Sequence, residues 1–281
     1  MTADESEQLR RLARTINAKM LSRKDVKAEQ FANGGYSPVE TRKGSGEYAP
    51  WSEQDMLDHL MGHKTYGHYL VGQDDTAKLF AFDIDLVKPS PSNIEPGDPR
   101  YVRPTWFGEQ FSPREVWAGE WTEGDANFDI QRDMACQLWA MAEGLARRTM
   151  QLMGDAVTVA VSYSGCKGVH VYGLCGKTPA GELRACAREV IDSFGVFQQS
   201  KGANFFRHVE LYDCLEIETF PKQDGVGNGG FGNLLRCPLG VNRKTGQAGF
   251  FIKANPATTP SHTMKMEHDD PILALNAGTF R

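Results

Sequence analysis

Two aspartates, Asp83 and Asp85, stand two positions apart inside the apolar run Phe80-Ala81-Phe82-Asp83-Ile84-Asp85-Leu86. On a β-strand they project from one face, while Phe82, Ile84 and Leu86 project from the other. Two carboxylates so placed repel each other, which raises one pKa unless a cation lies between them. A divalent ion removes the conflict, and oxygen-only ligation suits Mg²⁺ or Mn²⁺. The same spacing also fits a solvent-facing edge strand on which both acids are merely hydrated.

A second stretch, Ala160-Val-Ser-Tyr-Ser-Gly-Cys-Lys-Gly-Val-His-Val-Tyr-Gly173, reads as two apolar strands joined by a tight turn. Gly165 and Gly168 allow backbone N–H groups to approach an anion, and Lys167 adds a point charge suited to phosphate. His170 shares a strand face with Tyr172 and has a ring N–H to offer a phosphate oxygen. A plain hairpin turn with a histidine satisfied in the core is the alternative.

The third stretch, residues 215 to 246, opens with Glu216 and Glu218 alternating with Ile217, so another strand can deliver a third acid. Between Lys222 and Lys253 stand five Lys/Arg and one acidic residue, Asp224, in a chain whose net charge is −5. Positive charge gathered beside acidic residues points to a polyanionic ligand; solvated basic loops are the alternative. His59 and His63, four apart, could form a metal pair, but a wet helix surface is the preferred reading.

These residues need strands to hold them. Thr65–Val71 and Ala77–Val87 read as two strands joined by a polar turn, Ala156–Tyr163 and Val169–Cys175 as two more, and the stretches around Glu216, Leu234 and Phe250 as further strands. Helices are expected over residues 4 to 32, with Leu9, Leu12, Ile16 and Met20 on one face, from Ser52 as N-cap to about His63, over 128 to 154, and after Thr178 as N-cap. A proline-rich connection, residues 88 to 117, reads as a long surface segment. Hairpins dominate the second half, which favours α+β with largely antiparallel sheet. G-x-x-x-x-G-K-[ST] does not occur, and the overlapping G-x-G-x-x-G strings within residues 225 to 232 lead into an expected strand and not a helix, so neither the dinucleotide-binding fingerprint nor a P-loop is supported.

The chain is long enough to bury a sizeable core. Its N-terminus is charged throughout and no apolar run is long enough to span a bilayer, which implies a cytoplasmic protein without membrane association. The six cysteines form no C-x-x-C pair, so free thiols in a reducing compartment are expected and structural zinc is not.

In order and spacing, D-I-D, S-G-C-K-G-V-H, and L-E-I-E followed by F-P-K-Q and P-L-G-V-N-R-K-T-G resemble the three motifs of the archaeo-eukaryotic primase superfamily, in the primase–polymerase branch of phages, plasmids and mobile defence systems. The resemblance spans roughly Tyr66 to Gly246. It implies the primase fold, an N-terminal α/β module packed on an RRM-like, mainly antiparallel sheet, with residues 61–254 as the catalytic unit. Residues 1–60 would form an N-terminal helical region, and 255–281 a tail or linker.

By the same resemblance Asp83, Asp85 and Glu218 are metal ligands for two Mg²⁺ or Mn²⁺ ions. His170, Ser164, Lys167 and the Gly165 and Gly168 backbone contact the incoming nucleotide, and Arg236, Arg243 and Lys244 hold the triphosphate or the template. Many relatives carry Asp where Glu218 stands, and Glu216 is the alternative third ligand. The activity implied is DNA-templated primase or polymerase chemistry: transfer from nucleoside triphosphates to a 3′-hydroxyl on single-stranded DNA, in replication of a phage or mobile element. A replicative helicase or a further domain beyond the C-terminus would be its partner, in a bacterial or phage-infected cell. A two-metal nuclease or phosphodiesterase is the rival reading, since it too needs clustered carboxylates.

Overall fold

The computed structural model describes residues 2–86, 128–208, 215–227, 230–253 and 270–279, with backbone alone over 128–134. The proline-rich connection lies outside the described residues, as do Cys214 and residues 254–269 of the expected tail.

Helix α1 (Ala3–Lys19) starts from Thr2, whose hydroxyl accepts from the Glu5 amide while Glu5 reaches back to the Thr2 amide. It stops well short of residue 32, because the side chains that follow are engaged elsewhere. Ser22 accepts from the Lys78 amide at 3.0 Å, Lys78 Nζ caps the Ala18 carbonyl at 2.8 Å, and Lys27 reaches Asp55 at 2.7 Å. The chain then forms a hairpin of β1 (Ala28–Gln30) and β2 (Tyr36–Pro38). Helix α2 (Glu53–Leu60) begins on Ser52 as expected, and ends before Gly62, whose φ of +74° takes the left-handed turn that stops it.

Among the described residues all strand pairings are antiparallel. A four-stranded sheet runs β10 (Leu234–Arg236), β3 (Tyr66–Tyr69), β1, β2. A seven-stranded sheet runs β11 (Phe250–Phe251), β5 (Thr158–Tyr163), β6 (Gly168–Pro179), β4 (Thr76–Leu86), β9 (Leu215–Phe220), β8 (Phe205–His208), β7 (Phe197–Gln199). Helices α3 (Phe128–Met153), α4 (Ala180–Asp192) and α5 (Pro271–Ala277) complete an α+β fold of antiparallel sheets. Helix α4 takes Pro179 and not Thr178 as its N-cap. Thr178 is still in β6, paired with Ala77, and its hydroxyl bonds the Gly176 carbonyl at 3.0 Å.

The period-2 pattern of β4 divides the core in two. Phe82, Ile84 and Leu86 face α3 and α4, against Leu138, Ala142, Leu145, Leu183 and Val190. On the opposite face Leu79 and Ala81 lie under Leu12 and Ile16 of α1, Met56 of α2 and Leu275 of α5. Asp83 and Asp85 continue that second face, beyond the cover of the helices. Elements from residue 12 to residue 275 thus pack on one face or the other of the strand that bears the acids. Among the described residues no helix is long and apolar enough to cross a membrane.

Candidate functional site

Strand register assembles what the sequence holds far apart. Asp83 is paired with His170 on β6 and with Glu218 on β9, and His170 is paired in turn with Ser162 on β5. Directly opposed residues project from the same face, so Ser162, His170, Asp83 and Glu218 form one row across four strands. Asp85 heads the next row, opposite Gly168 and Glu216.

A hydrogen-bonded chain runs along the first row. His170 Nε2 lies 3.3 Å from Asp83 Oδ1, its Nδ1 2.9 Å from the Tyr172 hydroxyl, and that hydroxyl 3.0 Å from Ser162 Oγ. The chain is satisfied when Nε2–H donates to Asp83 and Nδ1 accepts from Tyr172. His170 is 4% exposed, so it reaches the cleft only along this edge.

The two glutamates of β9 part company. Glu218 ion-pairs with Lys222, whose ammonium also lies over the rings of Phe205 and Phe220 at 5.0 and 4.9 Å. Glu216 is buried, bonded to Lys201 at 2.8 Å and 3.5 Å from Arg207. Glu218 lines the cleft and Glu216 does not. Among the described residues no three Asp, Glu, His or Cys side chains are gathered closely enough to enclose an ion as they stand. The donor set nonetheless fits Mg²⁺ or Mn²⁺. Asp83 and Asp85 offer hard oxygens side by side, and Glu218, opposite Asp83, would offer a third on release from Lys222.

The electrostatic cost of clustering the acids falls on Asp85. Burial first, and the charge of Asp83 second, push its carboxyl up from 3.8 to about 6. The folded state therefore binds this proton more tightly than the unfolded chain. Cation-free protein is expected to lose stability as pH rises from about 4 through about 6. Thermal melts should show Mn²⁺ raising Tm more at about pH 7.5 than at about pH 5, and the Asp85→Asn variant losing most of that difference. A variant that kept the full wild-type difference between the two pH values would remove Asp85 from the ligand set.

The turn between β5 and β6 is clamped by the loop after β10. Arg236 donates to the Ser164 carbonyl and, at 3.0 Å, to that of Gly240. Thr245 bonds the Gly165 carbonyl, and the Tyr163 hydroxyl bonds that of Cys166 at 2.6 Å. Gly165 has φ +78°, and a Cβ there would stand 2.6 Å from the Gln247 carbonyl oxygen. At Gly168 a Cβ would meet the Asp85 carboxylate, so this glycine makes room for an acid. Lys167 donates to the Leu86 carbonyl at 2.7 Å and lies 3.9 Å from Asp85.

A cleft of about 440 Å³ separates the two sheets. Asp83, Asp85, His170 and Glu218 line one side; Ser164, Lys167, Arg236 and Lys244 bring the basic and polar groups; Gln30, Asn33 and Tyr36 close the other side. Gly165, Gly168 and Arg243 do not line it. The Arg243 guanidinium bonds the His63 carbonyl and its amide donates to Gln30 at 3.0 Å, which points its charge away from its neighbour Lys244. The hairpin residues carried no motif in the sequence. Asn33 and Gly34 in a turn-forming stretch were the available signal, and the helical pattern through residue 32 obscured it. His59 is no metal ligand: it is buried, receives the Tyr66 amide on Nδ1 at 3.0 Å and meets the Pro238 carbonyl through Nε2 at 3.0 Å. Burial holds its pKa down at about 4.

Three comparisons bear on this arrangement. The family described as "TOTE conflict system, Archaeo-Eukaryotic Primase domain" matches residues 17–268, a span that contains every residue of the cleft. No curated protein matches the sequence. Among solved structures, the chain is similar to the polymerase domain of Mycobacterium tuberculosis ligase D in complex with DNA, at 12% identity and a TM-score of 0.42, over 97% of this chain and 88% of that one.

Proposed function

The chain belongs to the archaeo-eukaryotic primase domain family of TOTE conflict systems, whose chemistry is nucleotidyl transfer on nucleic acid, and from that premise we propose that it extends a 3′-hydroxyl on a single-stranded DNA template with nucleoside triphosphates. The observation that supports this reading best is the single cleft in which Asp83, Asp85 and Glu218 face Ser164, Lys167, Arg236 and Lys244. Phosphoryl transfer asks the protein for alignment and charge neutralisation and little covalent help.

Asp83 and Asp85, with Glu218, would hold Mg²⁺ or Mn²⁺, which would supply Lewis acidity toward the attacking hydroxyl and the leaving pyrophosphate. His170 fixes the Asp83 carboxylate through Nε2–H, and Tyr172 and Ser162 fix the tautomer of His170. Arg236 and Lys244 receive the triphosphate, with Arg236 pre-oriented by the two carbonyls it holds. Lys222, held to Glu218 without a metal, competes with the cation for that acid.

The test is a gel assay with single-stranded DNA, ribo- or deoxynucleoside triphosphates and Mg²⁺ or Mn²⁺, with and without an annealed primer. Products longer than the primer that require the ion are expected. Primer-independent products would add initiation to extension. Shortened template with no extension would overturn this reading in favour of the nuclease.

A further inference from the structure

The side of the cleft contributed by the β1–β2 hairpin holds three polar residues, and two of them are already engaged. Gln30 donates to the Gly34 carbonyl at 3.3 Å and accepts the Arg243 amide at 3.0 Å, and Asn33 Oδ1 accepts the Gly35 amide at 2.9 Å. Tyr36 differs. Its ring packs against the cluster of Val26, Ala28 and Tyr69, yet its hydroxyl is shut off from solvent with no hydrogen-bond partner among the described residues. Buried hydroxyls are rarely left so, and an orphan that lines a ligand cleft is best explained by the ligand.

The phenol lies within electrostatic reach of both Arg236 and Asp83. Burial pushes its pKa well above the ordinary phenol value, so it stays a neutral group able to donate one hydrogen bond and accept another. That chemistry does not single out phosphate, which has Arg236, Lys167 and Lys244 nearby. It leaves the base or the sugar. A lone hydroxyl against a base edge would rank the four bases, because their donor and acceptor patterns differ. An enzyme that copies a template must accept all four, and what they share is the sugar.

Building on the nucleotidyl-transfer reading above, we infer that the Tyr36 hydroxyl hydrogen-bonds a sugar hydroxyl of the incoming nucleotide and so sets the choice among ribo-, deoxy- and dideoxynucleotides. A site made to bond a substrate hydroxyl discriminates against the analogue that lacks it. Tyr36→Phe removes only the oxygen and keeps the ring in its cluster.

The experiment is single-nucleotide incorporation on a primed template, with kcat/KM measured for ribo-, deoxy- and dideoxynucleoside triphosphates in wild type and Tyr36→Phe. The variant is expected to lose about three- to tenfold on substrates that carry the contacted hydroxyl and nothing on those without it. A loss on ribonucleotides alone assigns the contact to the 2′-hydroxyl. A loss on ribo- and deoxynucleotides that spares dideoxynucleotides assigns it to the 3′-hydroxyl. An equal change on all three, or none on any, overturns the inference while leaving the transferase reading intact. A wild type that incorporates none of the three overturns that reading and this inference with it.

Discussion

Asp83→Asn is expected to reduce metal-dependent extension by at least about 10³-fold while leaving the melting temperature within a few degrees of wild type. Asparagine has nearly the shape of aspartate, so the strand, its register and the packing of Phe82 and Ile84 are undisturbed. What disappears is the negative charge at the centre of the row, opposite Glu218 and 3.3 Å from His170. Glu216→Gln makes the contrast. Its carboxylate ties down Lys201 and Arg207 and stands outside the cleft. That variant should lose stability, about 1–3 kcal/mol by the unpairing of two cations at a buried site, and keep turnover within a few-fold. Denaturant melts and extension rates on both variants check the pair of outcomes. Wild-type turnover in Asp83→Asn would remove the acidic strand from the chemistry.

Arg236→Ala should act on binding and folding at once. The guanidinium joins β10 of one sheet to the β5–β6 turn of the other through the Ser164 carbonyl, and holds the Gly240 carbonyl of the loop after β10. Its loss leaves two carbonyl oxygens without their donor and takes a fixed cation from the cleft. A stability loss of about 2–4 kcal/mol is expected. KM for the nucleoside triphosphate should rise by about 10²-fold. Arg236→Lys keeps the charge but replaces a planar fork with a single ammonium, so it should recover less than half of either effect on a logarithmic scale. Steady-state kinetics with varied triphosphate, read beside thermal melts, separate the two contributions.

The reactive face of β4 was legible because a period of two leaves no choice: if the apolar residues face the core, Asp83 and Asp85 share the other side. The glycine turn and its histidine were legible for a similar local reason. What no local pattern carries is partnership between distant strands. That Glu218 and not Glu216 meets the cleft follows from the register of β9 against β4 and from Lys222, Lys201 and Arg207, each reaching across from its own segment. Arg243 and Lys244 looked equivalent in sequence, yet adjacent side chains diverge, and one is held on the His63 carbonyl while the other lines the cleft. The β1–β2 hairpin was hidden by an amphipathic pattern that tertiary contacts of Ser22 and Lys27 cut short.

Strand β4 is laddered on both flanks along its acidic half, to β6 on one side and β9 on the other. Its two aspartates are therefore set on a fixed ruler, with Cα atoms roughly 6–7 Å apart by the strand repeat, and the backbone has no freedom to squeeze them together or spread them. On the proposed metal-binding reading, tolerance for ions of different radius would come from the swing of the carboxylates themselves and from Glu218, whose salt link to Lys222 has to let go. Exchanging a smaller ion for a larger one would leave the sheet still and be felt at that glutamate.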